Sequence, residues 1–179
     1  MNDQVTEQER VMPDTSSGPG KSALNPPLVV EVFATRDWDK GVDFLLRWEY
    51  PKDVWNSGPM VFATGDLDRK IEYDLDDQTG LGLAFEQQAD DCIWVAEGPC
   101  PTTKPQKGSD KDQIKDKDRA SAKKLKLKNV NDQPCNLHYA LRFTGGSWSR
   151  PEGTGTKTFK PPYEYDPEYR NSGGGGSNT

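Results

Sequence analysis

Val42-Asp43-Phe44-Leu45-Leu46-Arg47-Trp48-Glu49-Tyr50 is the stretch whose pattern sets the fold class. Alternate residues Val42, Phe44, Leu46, Trp48 and Tyr50 form one bulky apolar row, and Asp43, Leu45, Arg47 and Glu49 form the other. A side-chain period of two belongs to a β-strand with one face in a core. Pro51 ends the run, because proline has no N–H to give to a sheet ladder.

Working outward, the same signal recurs. Leu28–Thr35 is dense in β-branched and aromatic residues. Met60–Thr64 precedes the turn-like Gly65-Asp66, and Ile71, Tyr73 and Leu75 alternate with Glu72, Asp74 and Asp76. Leu81–Phe85 and Cys92–Glu97 follow. Leu125 and Leu127 alternate with lysines, Leu137, Tyr139, Leu141 and Phe143 alternate with polar or small residues, and a last extended piece falls near Tyr163–Tyr169. No stretch has a helical period. About eight short strands separated by turn signals predict an all-β fold, an antiparallel β-sandwich of immunoglobulin-like type.

This core is confined. Residues 1–27 hold only Val5, Val11 and Leu24 among strong core formers, together with Ser16-Ser17-Gly18-Pro19-Gly20 and Pro26-Pro27, and are expected to be a flexible arm. Residues 172–179, with Gly173–Gly176, are expected to be a flexible tail, so both termini read as disordered. The sandwich domain then spans 28–171, with a polar insertion over 102–122. Gly18-Pro19-Gly20-Lys21-Ser22 is no phosphate loop, since Thr15 stands where the first glycine belongs and no strand precedes it.

The chain of 179 residues has a formal net charge of −6, 32% hydrophobic residues and 29% charged ones. No apolar run is long enough for a transmembrane helix. The start, Met1-Asn2-Asp3-Gln4, has neither the basic residues nor the apolar stretch of a secretory signal, so a cytoplasmic location is expected. Three cysteines, an odd set, suit a reducing compartment.

The insertion carries much of the positive charge. Lys111, Lys115 and Lys117 are its candidate contacts for an acidic partner. Aspartates recur every few positions among them and no aromatic is interleaved, which argues against nucleic acid and for a solvated loop. Trp38, Trp55 and Trp148 fall among polar loop residues. Loop tryptophans either cap the ends of a core or form a binding patch for a protein or sugar.

Candidate chemistry is sparse. His138 is the only histidine, and no nucleophile-elbow pattern accompanies it. A dyad with Cys135 would have to bridge three residues, about 10 Å of strand, unless Pro134 makes a turn. Cys92, Cys100, Cys135 and His138 together make a Cys₃His set that zinc accepts, although the spacing departs from the usual paired short spacings. Otherwise no cofactor is expected. Asp76-Asp77-Gln78-Thr79-Gly80 comes nearest to an aspartic-protease signature, with Gln78 intruding, and suits a turn better.

Tyr165-Asp166-Pro167-Glu168-Tyr169-Arg170-Asn171 resembles a closing D-P-x-x-x-N segment of small bacterial all-β proteins of largely unassigned function. The order of the runs from residue 60 onward is similar as well. That resemblance implies an aspartic-peptidase-like or self-cleaving activity at Asp166 as the alternative function. The leading expectation is a non-catalytic cytoplasmic module that binds a protein partner or itself.

Overall fold

In the computed structural model, residues 26–49, 54–63, 66–166 and 168–172 are described. The expected flexible arm, apart from Pro26 and Pro27, and the tail from Gly173 onward lie outside them, as does Pro167. The strands are β1 (Leu28–Asp37), β2 (Gly41–Glu49), β3 (Trp55–Asn56), β4 (Met60–Phe62), β5 (Arg69–Asp77), β6 (Ala84–Phe85), β7 (Ile93–Glu97), β8 (Ile114–Ser121), β9 (Lys124–Asn129), β10 (Pro134–Thr144), β11 (Trp148–Glu152), β12 (Gly155–Phe159), β13 (Tyr163–Tyr165) and β14 (Glu168–Ser172). A single helical turn, α1 (Ala89–Cys92), leads into β7. The all-β expectation holds, but the described residues contain fourteen strands rather than about eight.

One sheet has the order β3-β2-β1-β5-β9-β8. The other is built on the long strand β10, flanked by β7 and β6 along one edge and by β14 and β13 along the other, with β4 outside β14. The expectation of a purely antiparallel arrangement needs correcting. β1 pairs with β5 in parallel, and so does β14 with β4. Strands joined through a long crossover can lie parallel, whereas a tight hairpin enforces the antiparallel sense.

Period-two burial drives the packing. The inward rows Val30, Val32 and Ala34 of β1, Ile71 and Tyr73 of β5, and Leu137, Tyr139, Leu141 and Phe143 of β10 are all fully buried. They join one hydrophobic cluster with Phe44, Leu46 and Trp48 of β2. The two sheets meet through rings: Phe44 stacks on Phe143 with centroids 4.8 Å apart, and Tyr73 meets Tyr139 at 6.3 Å. Such pairs add directional preference to the general burial of apolar area.

The polar run over 102–122 is not simply a solvated loop. Its second part is β8, an edge strand whose first residue, Ile114, is buried, and whose pairing with β9 is broken by bulges. Before it, the Glu97 N–H bonds to the Ser109 carbonyl at 2.8 Å, and the Val130 N–H to that of Gln113 at 2.8 Å. Charged residues and bulges along an outer strand block further pairing, which is how edge strands avoid aggregation.

Candidate functional site

The outer face of the first sheet divides into two halves. On β5 and β9 the outward residues are charged, and Glu72, Asp74, Lys124, Lys126 and Lys128 are in ion pairs. Lys124 lies 2.9 Å from Asp74 and 3.4 Å from Glu72, and Lys126 lies 3.6 Å from Glu72. Lys128 reaches Asp116 of β8 at 3.2 Å. The Asp74 carboxylate beside Lys124, and that of Asp116 beside Lys128, hold both ammonium groups above the ordinary lysine range.

On β1, β2 and β3 the same row carries Val29, Phe33, Leu45 and Trp55. Leu45 keeps 55% of its surface exposed and Trp55 53%, and Val29 and Val54 are also exposed. Phe33 lies directly opposite Leu45, and Glu31 opposite Arg47. Arg47 binds Glu31 at 2.9 Å, and its guanidinium lies over the rings of Trp55 at 4.4 Å and Phe33 at 5.1 Å. The patch therefore consists of apolar surface around one neutralised ion pair.

A second aromatic cluster lies at the other end of β2. The β1–β2 turn is closed by Asp37, whose Oδ1 accepts from the N–H groups of Lys40 at 2.6 Å and Asp39 at 2.9 Å. Those bonds, the one from Lys40 foremost, hold the Asp37 carboxyl below the usual carboxylate range. The β11–β12 hairpin packs on this turn. Trp148 donates its indole N–H to the Gly41 carbonyl at 2.9 Å and stacks on Phe159 at 5.0 Å. Gly41 has φ +94°, and a Cβ there would lie 2.6 Å from the Phe159 ring, so only glycine fits. Exposed Trp38 sits 6.3 Å from Trp148, with the buried Arg150 guanidinium 5.3 Å from its ring. Trp38 and Trp148 are thus brought together. Trp55, paired with Glu49, lies a whole strand away, about 25 Å along β2.

The lysines of the insertion are largely neutralised where they stand. Lys111 binds Glu97 at 2.7 Å, which raises its pKa, and Lys117 lies 3.8 Å from Asp90. Lys115 is exposed beside Lys128. Lys115 and Lys117 border a groove of about 520 Å³ floored by Ile93, Trp94 and Val95 and rimmed by both lysines and aspartates. Its mixed rim is not the continuous positive face that a phosphate chain requires.

The Cys₃His set does not assemble. Cys135 belongs to the inward row of β10 and His138 to the outward row. Cys92 precedes Ile93, which pairs with Leu141, about 20 Å along β10 from Cys135. The Cys92 thiol points to the carbonyls of Glu86 at 3.0 Å and Gln88 at 3.3 Å, and burial pushes its pKa up to about 12. Cys100 faces the Tyr139 carbonyl at 3.6 Å, and burial, then the Asp166 carboxylate, push it up to about 12. None of the three cysteines forms a disulfide, and among the described residues no three His, Cys, Asp or Glu side chains are grouped to hold a metal.

Asp166 is exposed just after β13, close enough to Cys100 for its carboxylate to raise the thiol pKa. An acid pair sharing a proton needs a second carboxyl within hydrogen-bond reach and shelter from water. Asp77, in the protease-like run, is a structural group. Its oxygens accept from Thr79 N–H at 3.0 Å, Thr79 Oγ1 at 2.5 Å and Leu83 N–H at 2.7 Å. Burial pushes its carboxyl up, but these bonds and nearby Lys123 outweigh it and leave the pKa below the usual range.

Sequence reasoning picks out Trp55 but misses Val29, Phe33 and Leu45 of the apolar outer patch, although Leu45 in an otherwise polar row is its visible signal. It also misses Arg47 and the β11–β12 hairpin. The sequence matches no protein-family model and no curated protein. Among the described residues no helix is long and apolar enough to cross a membrane.

Proposed function

We propose that this chain is a non-catalytic β-sandwich module, immunoglobulin-like in its layered build, that acts by binding protein, whether a partner or a second copy. The observation that carries this is the patch of Val29, Phe33, Leu45 and Trp55 on one half of a sheet face whose other half is charged. An outward position beside a solvated strand does not need an apolar side chain for folding. Covering the exposed halves of Leu45 and Trp55 contributes about 1 kcal/mol each, so the patch favours contact with another surface. Cys92, Cys100 and Cys135 without disulfides suit the reducing cytoplasm, and this reading calls for no cofactor.

The test compares the wild-type chain with a Leu45→Glu, Trp55→Ser variant as bait and in sedimentation. The variant should keep its thermal unfolding temperature and lose the proteins, or the self-association, that wild type shows. Identical binding by both forms would overturn this function.

A further inference from the structure

We infer that the open middle of the β7 edge takes up an extended peptide segment of a partner protein as an added antiparallel strand. This site is separate from the apolar patch of β1, β2 and β3, and it stands or falls independently of the function proposed above.

The pairing of β7 shows which of its groups are open. In an antiparallel pair, residues alternate between bonding the partner strand and pointing their N–H and C=O groups the other way. Glu97 sends its N–H to the Ser109 carbonyl at 2.8 Å, away from β10. By alternation, Trp94 and Ala96 bond to Ala140 and His138 of β10, while Val95 directs both of its backbone groups outward. Among the described residues neither of these Val95 groups has a hydrogen-bond partner. On the same flank, Phe85 N–H bonds the Ala122 carbonyl at 2.8 Å. The edge is thus closed on both sides of Val95 and open at it.

Val95 lines the groove of about 520 Å³ between β7 and the start of β8. Edge strands normally discourage pairing through charges, prolines or bulges. β8 follows that rule, but Ile93-Trp94-Val95-Ala96 has none of these and keeps an unbroken register with β10. Residues 98–112, which supply much of the rim, include none that is buried. They are held by surface contacts such as Lys104 to Asp91 at 2.6 Å, so this rim can give way to an incoming chain.

A single open residue exchanges both of its bonds with one residue of an antiparallel strand, and an extended backbone offers both complements at that spacing. The side chain opposite Val95 falls on the same side as that of Val95, the side of the core, so it is apolar. The rim carries as many lysines as aspartates, so charge does not select the partner. The open stretch, three residues from Ile93 to Val95, is about 10 Å long, which limits the contact to a few rungs. A peptide alone therefore binds weakly, with a dissociation constant on the order of 1 mM.

The experiment is amide hydrogen exchange followed by NMR on the full chain, free and with about 5 mM of the capped peptide Glu-Thr-Val-Thr-Lys. A control peptide carries a methyl group on the backbone nitrogen of its valine, which removes the N–H meant for the Val95 carbonyl. In the free chain the Val95 amide should exchange at least about tenfold faster than those of Trp94 and Ala96. The peptide should slow Val95 about sixfold, the factor 1 + [L]/Kd at that concentration. The methylated peptide should leave it unchanged.

A peptide that leaves Val95 unaffected would overturn the inference, as would a methylated peptide that acts equally well. So would a Val95 amide already as slow as its neighbours in the free chain. Slow exchange at every chain concentration would mean that a segment of the same chain fills the groove, and slow exchange only at high concentration that a second copy does. The Leu45→Glu, Trp55→Ser variant should respond to the peptide as wild type does. A variant that no longer responds would tie the peptide to the apolar patch and remove the β7 site.

Discussion

Strands β2 and β9 of one sheet show the same inward face and opposite outward faces. Inward, Leu46 of β2 and Leu125 of β9 are both almost completely buried. Outward, β2 presents Leu45 and Arg47 beside Phe33 and Trp55, while β9 presents Lys124, Lys126 and Lys128 to Glu72, Asp74 and Asp116. The core dictates the first row, because any polar side chain there would lose its water. Folding leaves the second row free, so its chemistry reports what lies outside the sheet. Water suits the paired half, and a second surface suits the apolar half.

The largest expected effect tests whether the two inward rows are equivalent. Leu46→Ala and Leu125→Ala should each destabilise the fold by about 2–5 kcal/mol in urea titrations. A much smaller loss for Leu125→Ala would show that the charged half hangs off the core instead of belonging to it.

Asp77, at the end of β5, comes next. Asp77→Ala leaves the N–H groups of Thr79 and Leu83 without their acceptor, at a cost of about 1–3 kcal/mol. The folded carboxyl titrates below its unfolded value of about 3.9. Its stabilisation is thus complete above that value and disappears as pH falls through the folded pKa. Unfolding followed from about pH 6 to pH 2 should show an acid limb that is shallower in Asp77→Asn, and an unchanged limb would remove Asp77 as its source.

The smallest effects on folding separate the outward rows. Glu72→Gln weakens the contacts of Lys124 and Lys126, which should cost less than about 1 kcal/mol and shrink further at high salt. Leu45→Thr should change monomer stability by no more than about 0.5 kcal/mol, yet reduce the binding of a hydrophobic dye. A salt-sensitive loss at Leu45, or a dye response at Glu72, would erase the distinction between the halves.

Strands that pass through the core are legible in the sequence, because burial on one side writes period two into the residues. Val42–Tyr50 and Leu137–Phe143 are the clearest cases, and the described parts of both are strands. β8 reads as a loop since only Ile114 is buried at its start, and a strand at a sheet edge has little apolar signature. The β11–β12 hairpin escapes for the same reason: it lies beside the β1–β2 turn and not under the sheets, with Arg150 its one buried residue. Among candidate site residues, Trp38 and Trp148 come together, whereas the pleat of β10 separates Cys135 from His138.

The sequence by itself determined which residues face inward along most strands, because alternation is local and survives whatever the strand pairs with. It also carried the unusual outward leucine at position 45. Tertiary structure alone decided the parallel pairing of β1 with β5, the division of one sheet face into apolar and charged halves, and the separation of the thiols. Those features depend on which strands become neighbours and in what register. Non-local contacts fix that choice, and no run of adjacent residues encodes it.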